Sequence, residues 1–416
     1  MIAITMRLLC KGFFACVVFC LPISRAAADS DVYLLDVPDY QWFAGCFGTG
    51  CGNLAGYWDR HGMNDFYTGP TGGGVAPLND RGANIGIRSM WASKAGMDGR
   101  PANQPGHIDD YWIRYASDGD FSYQSTVADP YVTAGRAEHA PDCIGDFIGL
   151  SQKKWTNMNN ECDGNIDAFS FVYWDTNGNR RLNFTPTAAT GPPPRDIQSG
   201  LRQWAKYRGY DADVFTQLTD FNPNVPPGAG FTFEELKSEI NAGYPVLVFL
   251  QNYVEKYRGI TNTVPMARAN PEIHGMLIYG YKEYPDFGVN YVYCRTSWGI
   301  GDGITYSWGP DPWLSDPGEG LALYPRGVIG FHPRPRIRSI QRSGNELTIT
   351  WDGPSSQVRD VIANTTTPVH RYQIEKTASL TPPSWERVGS PTTDRTITIT
   401  DLSGDAAFYR VAPPGE

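Results

Sequence analysis

The sequence has 416 residues, 35 basic and 44 acidic side chains, and a formal charge of −9. That length accommodates two domains, one of them with a large core. The acidic balance argues against a nucleic-acid partner, which needs a basic face.

Residues 1–28 read as a secretory signal. Arg7 and Lys11 form its basic flank, Phe13 to Ile23 its apolar core, and Ala26-Ala27-Ala28 its small-residue cleavage site. The apolar run is too short to cross a bilayer, and no later stretch reads as a membrane helix. Cys20 lacks the small residues before it that a lipid-anchoring site wants. The expectation is a secreted or periplasmic protein with no membrane span. Loss of Arg7, Lys11 and Arg25 with the signal, and of no acid, takes the charge from −9 to −12. Of eight cysteines, Cys46, Cys51, Cys143, Cys162 and Cys294 remain. An odd number in an oxidising compartment suggests one free thiol plus disulfide bridges. Cys46 is read as the free thiol, Cys143–Cys162 as the most plausible bridge, and Cys51–Cys294 as a second option. Connectivity stays open.

Asp31 to Val37 reads as an entry strand ended by Pro38. From Cys46 a small-residue segment turns helical: Leu54, Tyr57 and Trp58 form one apolar stripe, and Gly62 stands where a helix C-terminus wants glycine. A cysteine at the start of that helix meets the positive end of the macrodipole, which favours thiolate. Gln41, five residues upstream, is placed to offer its side-chain amide to an oxyanion. Cys51 is the competing nucleophile, but it lies beyond the first turn and its orphan N–H groups.

Residues 63–196 are rich in Gly, Pro, Asp and Asn with few periodic runs, and read as a large insertion. Within it, Asp175, Asn177 and Asn179 alternate as calcium-loop ligands do, but Gly178 comes two positions early and Pro186 stands where glutamate belongs. The preferred reading is a hairpin, with Phe169–Trp174 and Arg181–Phe184 flanking an Asn-Gly turn. No metal or other cofactor is expected. Periodicity returns with a helix from Asp196 carrying Ile197, Leu201 and Trp204 and closed by Gly209. A second helix opens on a Thr232/Glu235 capping box and ends at Gly243. Val246–Leu250 is a strand buried on both faces, followed by strands Met276–Tyr281 and Val289–Thr296. From Arg334 the pattern is short alternating strands, including Leu347, Ile349 and Trp351, which reads as a β-sandwich.

His274 precedes an apolar strand ending in glycine, alone among six histidines (His61, His107, His139, His274, His332 and His370). Neutral imidazole there can take a thiol proton and return it to a leaving amine. Arg295-Thr296-Ser297-Trp298-Gly299 follows on the next strand.

These motifs resemble the papain-like cysteine peptidases of the bacteriocin-leader-processing group, family thirty-nine, and their secreted bacterial relatives. The matching residues are Gln41, Gly45, Cys46, Thr49, Gly56, Tyr57, Trp58 and Asp59, with Gly48 at the usual proline. His274 matches the family histidine, and residues 295–299 match Asn-Ser-Trp-Gly with Thr296 in place of Asn or Asp. The resemblance covers the beginning and end of residues 32–333. It implies an α+β chain: a papain-like domain over residues 29–333 with an insertion at about 63–196. A small all-β module resembling fibronectin type III follows at 334–416. It further implies an exported cysteine peptidase acting on a peptide or protein substrate. Cys46 is then the nucleophile, His274 the general base and acid, Gln41 the oxyanion donor, and Thr296 the imidazole orienter through its hydroxyl on Nδ1–H. A hydroxyl carries no charge and stabilises imidazolium less than Asp, so Asp286 and Asp302 are alternative partners. Two other functions stay open: a papain-like binding module with the chemistry lost, and an amidase or acyl transferase on the same site. The C-terminal module is a spacer or a contact to cell surface or matrix.

Overall fold

The computed structural model describes residues 29–43, 45–67, 74–91, 143–148, 162–163, 172–186, 196–252, 273–301, 303–316, 321–400 and 407–413. The signal segment and the Cys162 side chain lie outside the described residues. Among those described, no helix is long and apolar enough to cross a membrane.

The fold is α+β, built on an antiparallel sheet of eleven strands. Its main path runs Thr365–Pro368, Gln357–Asp360, Ser30–Leu34, Ile273–Tyr284, Val246–Asn252, Leu321–Pro333, Ala212–Leu218 and Arg181–Leu182. Val246 to Leu250 are all buried, as a continuous apolar run at the centre of a covered sheet requires. The Ile273–Tyr284 strand is long enough to serve three neighbours, pairing Val246–Asn252 and Ser30–Leu34 on one side and Val289–Arg295 on the other.

The opening helix, Cys46–Arg60, packs across this sheet and is buried from Cys46 to Asp59. The sequence reading had one apolar stripe. The structure covers the remaining faces with residues 38–43 and 74–91, and the small side chains make that cover possible. A Cβ on Gly52 would lie 2.5 Å from the Trp91 ring, and one on Gly56 2.5 Å from the Tyr40 hydroxyl. Glycine costs helix stability in isolation, and here it is required by close approach. Among the described residues three further helices follow: the short Ile144–Ile148, Ile197–Tyr207, with Asp196 accepting from Ser199 N–H, and Phe233–Asn241, with both bonds of the Thr232/Glu235 capping box.

Two of the sequence readings change. Asp175–Gly178 is a turn, but its flanking strands do not pair with each other: Val172–Tyr173 joins Cys162–Asp163, and Arg181–Leu182 joins Ala212–Leu218. Gly178 is the fourth residue of the turn, its N–H bonded to Asp175 O at 2.9 Å. A two-residue Asn-Gly hairpin would hold it in the centre. Asp175 uses both oxygens on this loop, accepting from Asn177 N at 2.8 Å and Asn179 Nδ2 at 3.3 Å.

The second change concerns residues 334–416. Two three-stranded sheets enclose a small core of Leu347, Ile349, Trp351, Tyr372 and Ile374. Strands Gln357–Asp360 and Thr365–Pro368 leave that core and extend the large sheet, with Val32 opposite Asp360 and Leu34 opposite Val358. Side chains reinforce the junction. Asp352 meets Arg338 at 2.6 Å, Arg336 at 3.3 Å and the Tyr210 hydroxyl at 2.7 Å, and Asp65 meets Arg336 at 2.6 Å.

Candidate active site

Cys46 is the first residue of the opening helix, reached through Gly45 at φ 103°, a conformation that glycine adopts at least cost. The approach segment is stapled to the helix it precedes. Thr49 Oγ1 accepts from Phe43 N–H at 3.0 Å, and Asn53 Oδ1 accepts from Tyr40 N–H at 2.9 Å. Gln41 is thereby held one short step from the first helical turn, exposed, beside a pocket of about 500 Å³ lined by Gln41, Trp42, Arg88 and Trp298.

The Cys46 thiol is buried against the start of the histidine strand, where the N–H of Gly275 reaches its sulfur. The neighbouring residue is His274, also buried. Ser297 ties the three segments together: its hydroxyl lies 3.0 Å from Gly275 O and 3.4 Å from Cys46 O. The structure therefore brings Cys46, His274 and residues 296–298 to one place, with Gln41 and Trp298 above them at the pocket.

The imidazole is held differently from the sequence expectation. Its Nε2 lies 2.8 Å from the main-chain carbonyl of Thr296, whereas the expectation was the Thr296 hydroxyl on Nδ1. The carbonyl turns toward the ring because the chain leaves strand geometry at Ser297, where φ is 65°. The Thr296 hydroxyl is buried without a hydrogen-bond partner among the described residues. A carbonyl only accepts, so the Nε2 carries the proton and Nδ1 of the neutral ring is the bare, basic nitrogen. Trp298 stacks on the ring at 4.3 Å and 11° and covers it from solvent. Of the alternative acids, Asp286 lies in the turn Pro285–Phe287 at the far end of the histidine strand, roughly 40 Å along extended chain from His274. It cannot orient the ring. Asp302 lies outside the described residues.

Electrostatics favour the uncharged forms of both Cys46 and His274. Burial pushes the Cys46 thiol up to about 11, against the pull of the N–H groups of Gly275, Phe47 and Cys46 itself. Burial also brings His274 down to about 4, partly offset by its bond to the Thr296 carbonyl. The helix end does lower the thiol, as expected from its dipole, but desolvation is the larger effect. Cys51 is buried one turn deeper, and burial with the adjacent Cys46 pushes its thiol much higher. No disulfide is present among the described residues, so the optional Cys51–Cys294 bridge is not formed; the expected Cys143–Cys162 bridge involves a side chain outside the described residues. Cys51 and Cys294 are separate buried thiols, Cys51 beside Cys46 and Cys294 beside Tyr306.

Sequence reasoning missed two residues here. Asp80 and Arg88, inside the stretch read as an insertion, form a buried ion pair at 2.7 Å beside Gln41. Only their spacing within an otherwise aperiodic segment marks them, and that is no signal. Comparisons with models of known families, with curated proteins and with solved structures find no match to this chain.

Proposed function

We propose that the chain is an exported cysteine hydrolase with a papain-like catalytic domain, cleaving peptide or simple amide bonds through a thioester. The observation that carries this reading is that Gly275 and Ser297 tie the helix-terminal Cys46 to the strand start that carries His274, an imidazole whose Nε2–H is fixed by a main-chain carbonyl. That arrangement leaves Nδ1 as the base.

Cys46 Sγ attacks the substrate carbonyl carbon while its proton passes to Nδ1 of His274. Gln41 donates its amide N–H to the oxyanion. The tetrahedral adduct collapses, the amine leaves with the proton from Nδ1, and a thioester remains on Cys46. Water, deprotonated at Nδ1, then hydrolyses the thioester and releases the acid. Because burial keeps thiol and imidazole uncharged, the ion pair forms during attack and not before it. The same burial supports a second reading, a binding module on this fold whose chemistry is lost.

A peptidyl vinyl sulfone, mapped by mass spectrometry, separates the two. The hydrolase reading predicts covalent labelling at Cys46, abolished in Cys46→Ala and lowered at least 100-fold in His274→Ala. No labelling of native Cys46, with peptide retained reversibly, would establish the binding module.

A further inference from the structure

Gln41 is anchored at both ends by one ion pair. Asp80 Oδ1 accepts from Gln41 N–H at 2.9 Å, and Asp80 Oδ2 accepts from Arg88 Nε at 2.7 Å. Arg88 Nη2 then reaches the side-chain oxygen of Gln41 at 3.5 Å. The pair is buried, with side-chain exposures of 6% for Arg88 and 0% for Asp80. The guanidinium lies 5.0 Å from the centre of the Phe43 ring. From the other side, Gly299 presses close: a Cβ there would stand 2.6 Å from Gln41 Cγ, and Arg81 donates to the Gly299 carbonyl.

We propose that Asp80 and Arg88 are positioning residues that set the Gln41 amide so that its NH₂ faces the substrate. A glutamine amide has two flip states with opposite hydrogen-bonding character. A guanidinium has only donors, so the atom it holds must be Oε1. Nε2, with no partner among the described residues, is left at the pocket that Gln41 shares with Trp298. Without Arg88 the amide is free to turn its oxygen toward the forming oxyanion, which repels it.

The proposal rests on the hydrolase reading above. Two reactions of the full-length chain test it: acylation of Cys46 by p-nitrophenyl acetate, which passes through an oxyanion, and alkylation by iodoacetamide, a direct displacement that does not. Arg88→Met should slow acylation ~100-fold, the lower end of what loss of one oxyanion donor costs, and leave alkylation, which forms no oxyanion, within about twofold. Gln41→Ala should do the same, and the double variant should be no worse than either single one, since both remove one interaction. Arg88→Met strands Asp80 as a buried carboxylate, so Asp80→Asn with Arg88→Met is the companion variant. It removes both charges, keeps an acceptor for Gln41 N–H, and should show the same split. Unchanged acylation in either Arg88 variant, or equal loss of both reactions, overturns the positioning role alone. Native chain that alkylates but never acylates overturns the hydrolase reading and, with it, this role.

Discussion

The candidate cleft and the junction with residues 334–416 both enclose imidazoles, and the side-chain partners of His332 and His370 at the junction contrast with the main-chain partner of His274 in the cleft. At the junction, His370 is bonded to Ser356 at 3.1 Å, and the Tyr244 ring lies tilted 4.0 Å from His332 and edge-on 5.2 Å from His370. His332 meets Glu239 at 2.6 Å, and His61 bonds the Leu35 carbonyl at 3.0 Å. Charged pairs and a shared sheet edge surround this cluster. In the cleft, His274 has a main-chain carbonyl and a tryptophan face, with no carboxylate bonded to it among the described residues. Redundant side-chain contacts suit a joint that must not open. On the hydrolase reading proposed above, main-chain contacts suit a ring that has to gain and lose a proton without moving.

The largest expected effect comes from removing the junction. The alternating strands after Arg334 suggest a module that can be cut away at Pro333. The pairing of Gln357–Asp360 with Ser30–Leu34 predicts instead that such a chain fails to accumulate as soluble folded protein. Its sheet would lose two strands and expose the unpaired edge of Ser30–Leu34. Near-UV circular dichroism and a cooperative melt, if retained after truncation at Pro333, would break the comparison.

Next in size is the ion-pair cluster. Asp352→Ala leaves Arg336, Arg338 and the Tyr210 hydroxyl without their common acceptor. The expected cost is about 2 kcal/mol, between an exposed pair and a fully buried one, because Asp352 is buried while both arginines are partly exposed; it is read from urea unfolding. A cost under about 0.5 kcal/mol, the size of an exposed pair, would mean that the junction is held by its strands alone.

Acid should act through the buried histidines. Burial, with His61 and His332 nearby, brings His370 down to about 3, and burial lowers His61 as well. The unfolded chain therefore takes up more protons than the folded one between about pH 6.5 and 3. Stability is complete above about 6.5 and is lost as pH falls toward 3, each tenfold in proton affinity contributing about 1.4 kcal/mol. His370→Gln, which keeps a donor toward Ser356, should flatten the fall of melting temperature between pH 6.5 and 4. An unaltered slope would remove His370 from the account.

The smallest effect is expected at Thr296. Its hydroxyl is buried and unpartnered while its carbonyl holds the imidazole. Thr296→Val keeps the carbonyl and removes only an unsatisfied polar atom, so stability should be equal or slightly higher and acylation within about twofold of native. A large loss of acylation would restore the hydroxyl as the orienting group.

The unequal legibility of these features has physical causes. The opening helix is local: cysteine, small residues, an aromatic stripe and a closing glycine are contiguous, and the structure places Cys46–Arg60 there. The capping box at Thr232 and the apolar run from Val246 are equally local. Asp80 and Arg88 act on Gln41 across 39 and 47 residues, and no periodicity connects them to it. The acceptor for His274 is a main-chain atom, which any residue at position 296 would supply, so side-chain identity misdirected the reading toward the hydroxyl. The hairpin of Gln357–Asp360 and Thr365–Pro368 shows why alternation alone is insufficient. It specifies a strand with two faces and leaves its neighbour undetermined.

The central claim is that Cys46 and His274 rest as neutral thiol and neutral imidazole and exchange a proton only during attack. The pH dependence of Cys46 alkylation by iodoacetamide, followed in the folded full-length chain by mass spectrometry, tests it most directly. With the thiol held near 11 and the imidazole near 4, the rate should climb with pH through the alkaline range and show no plateau between pH 5 and 8. A rate that rises through an inflection near pH 4 and stays flat to pH 8 would reveal a preformed thiolate–imidazolium pair and contradict the claim.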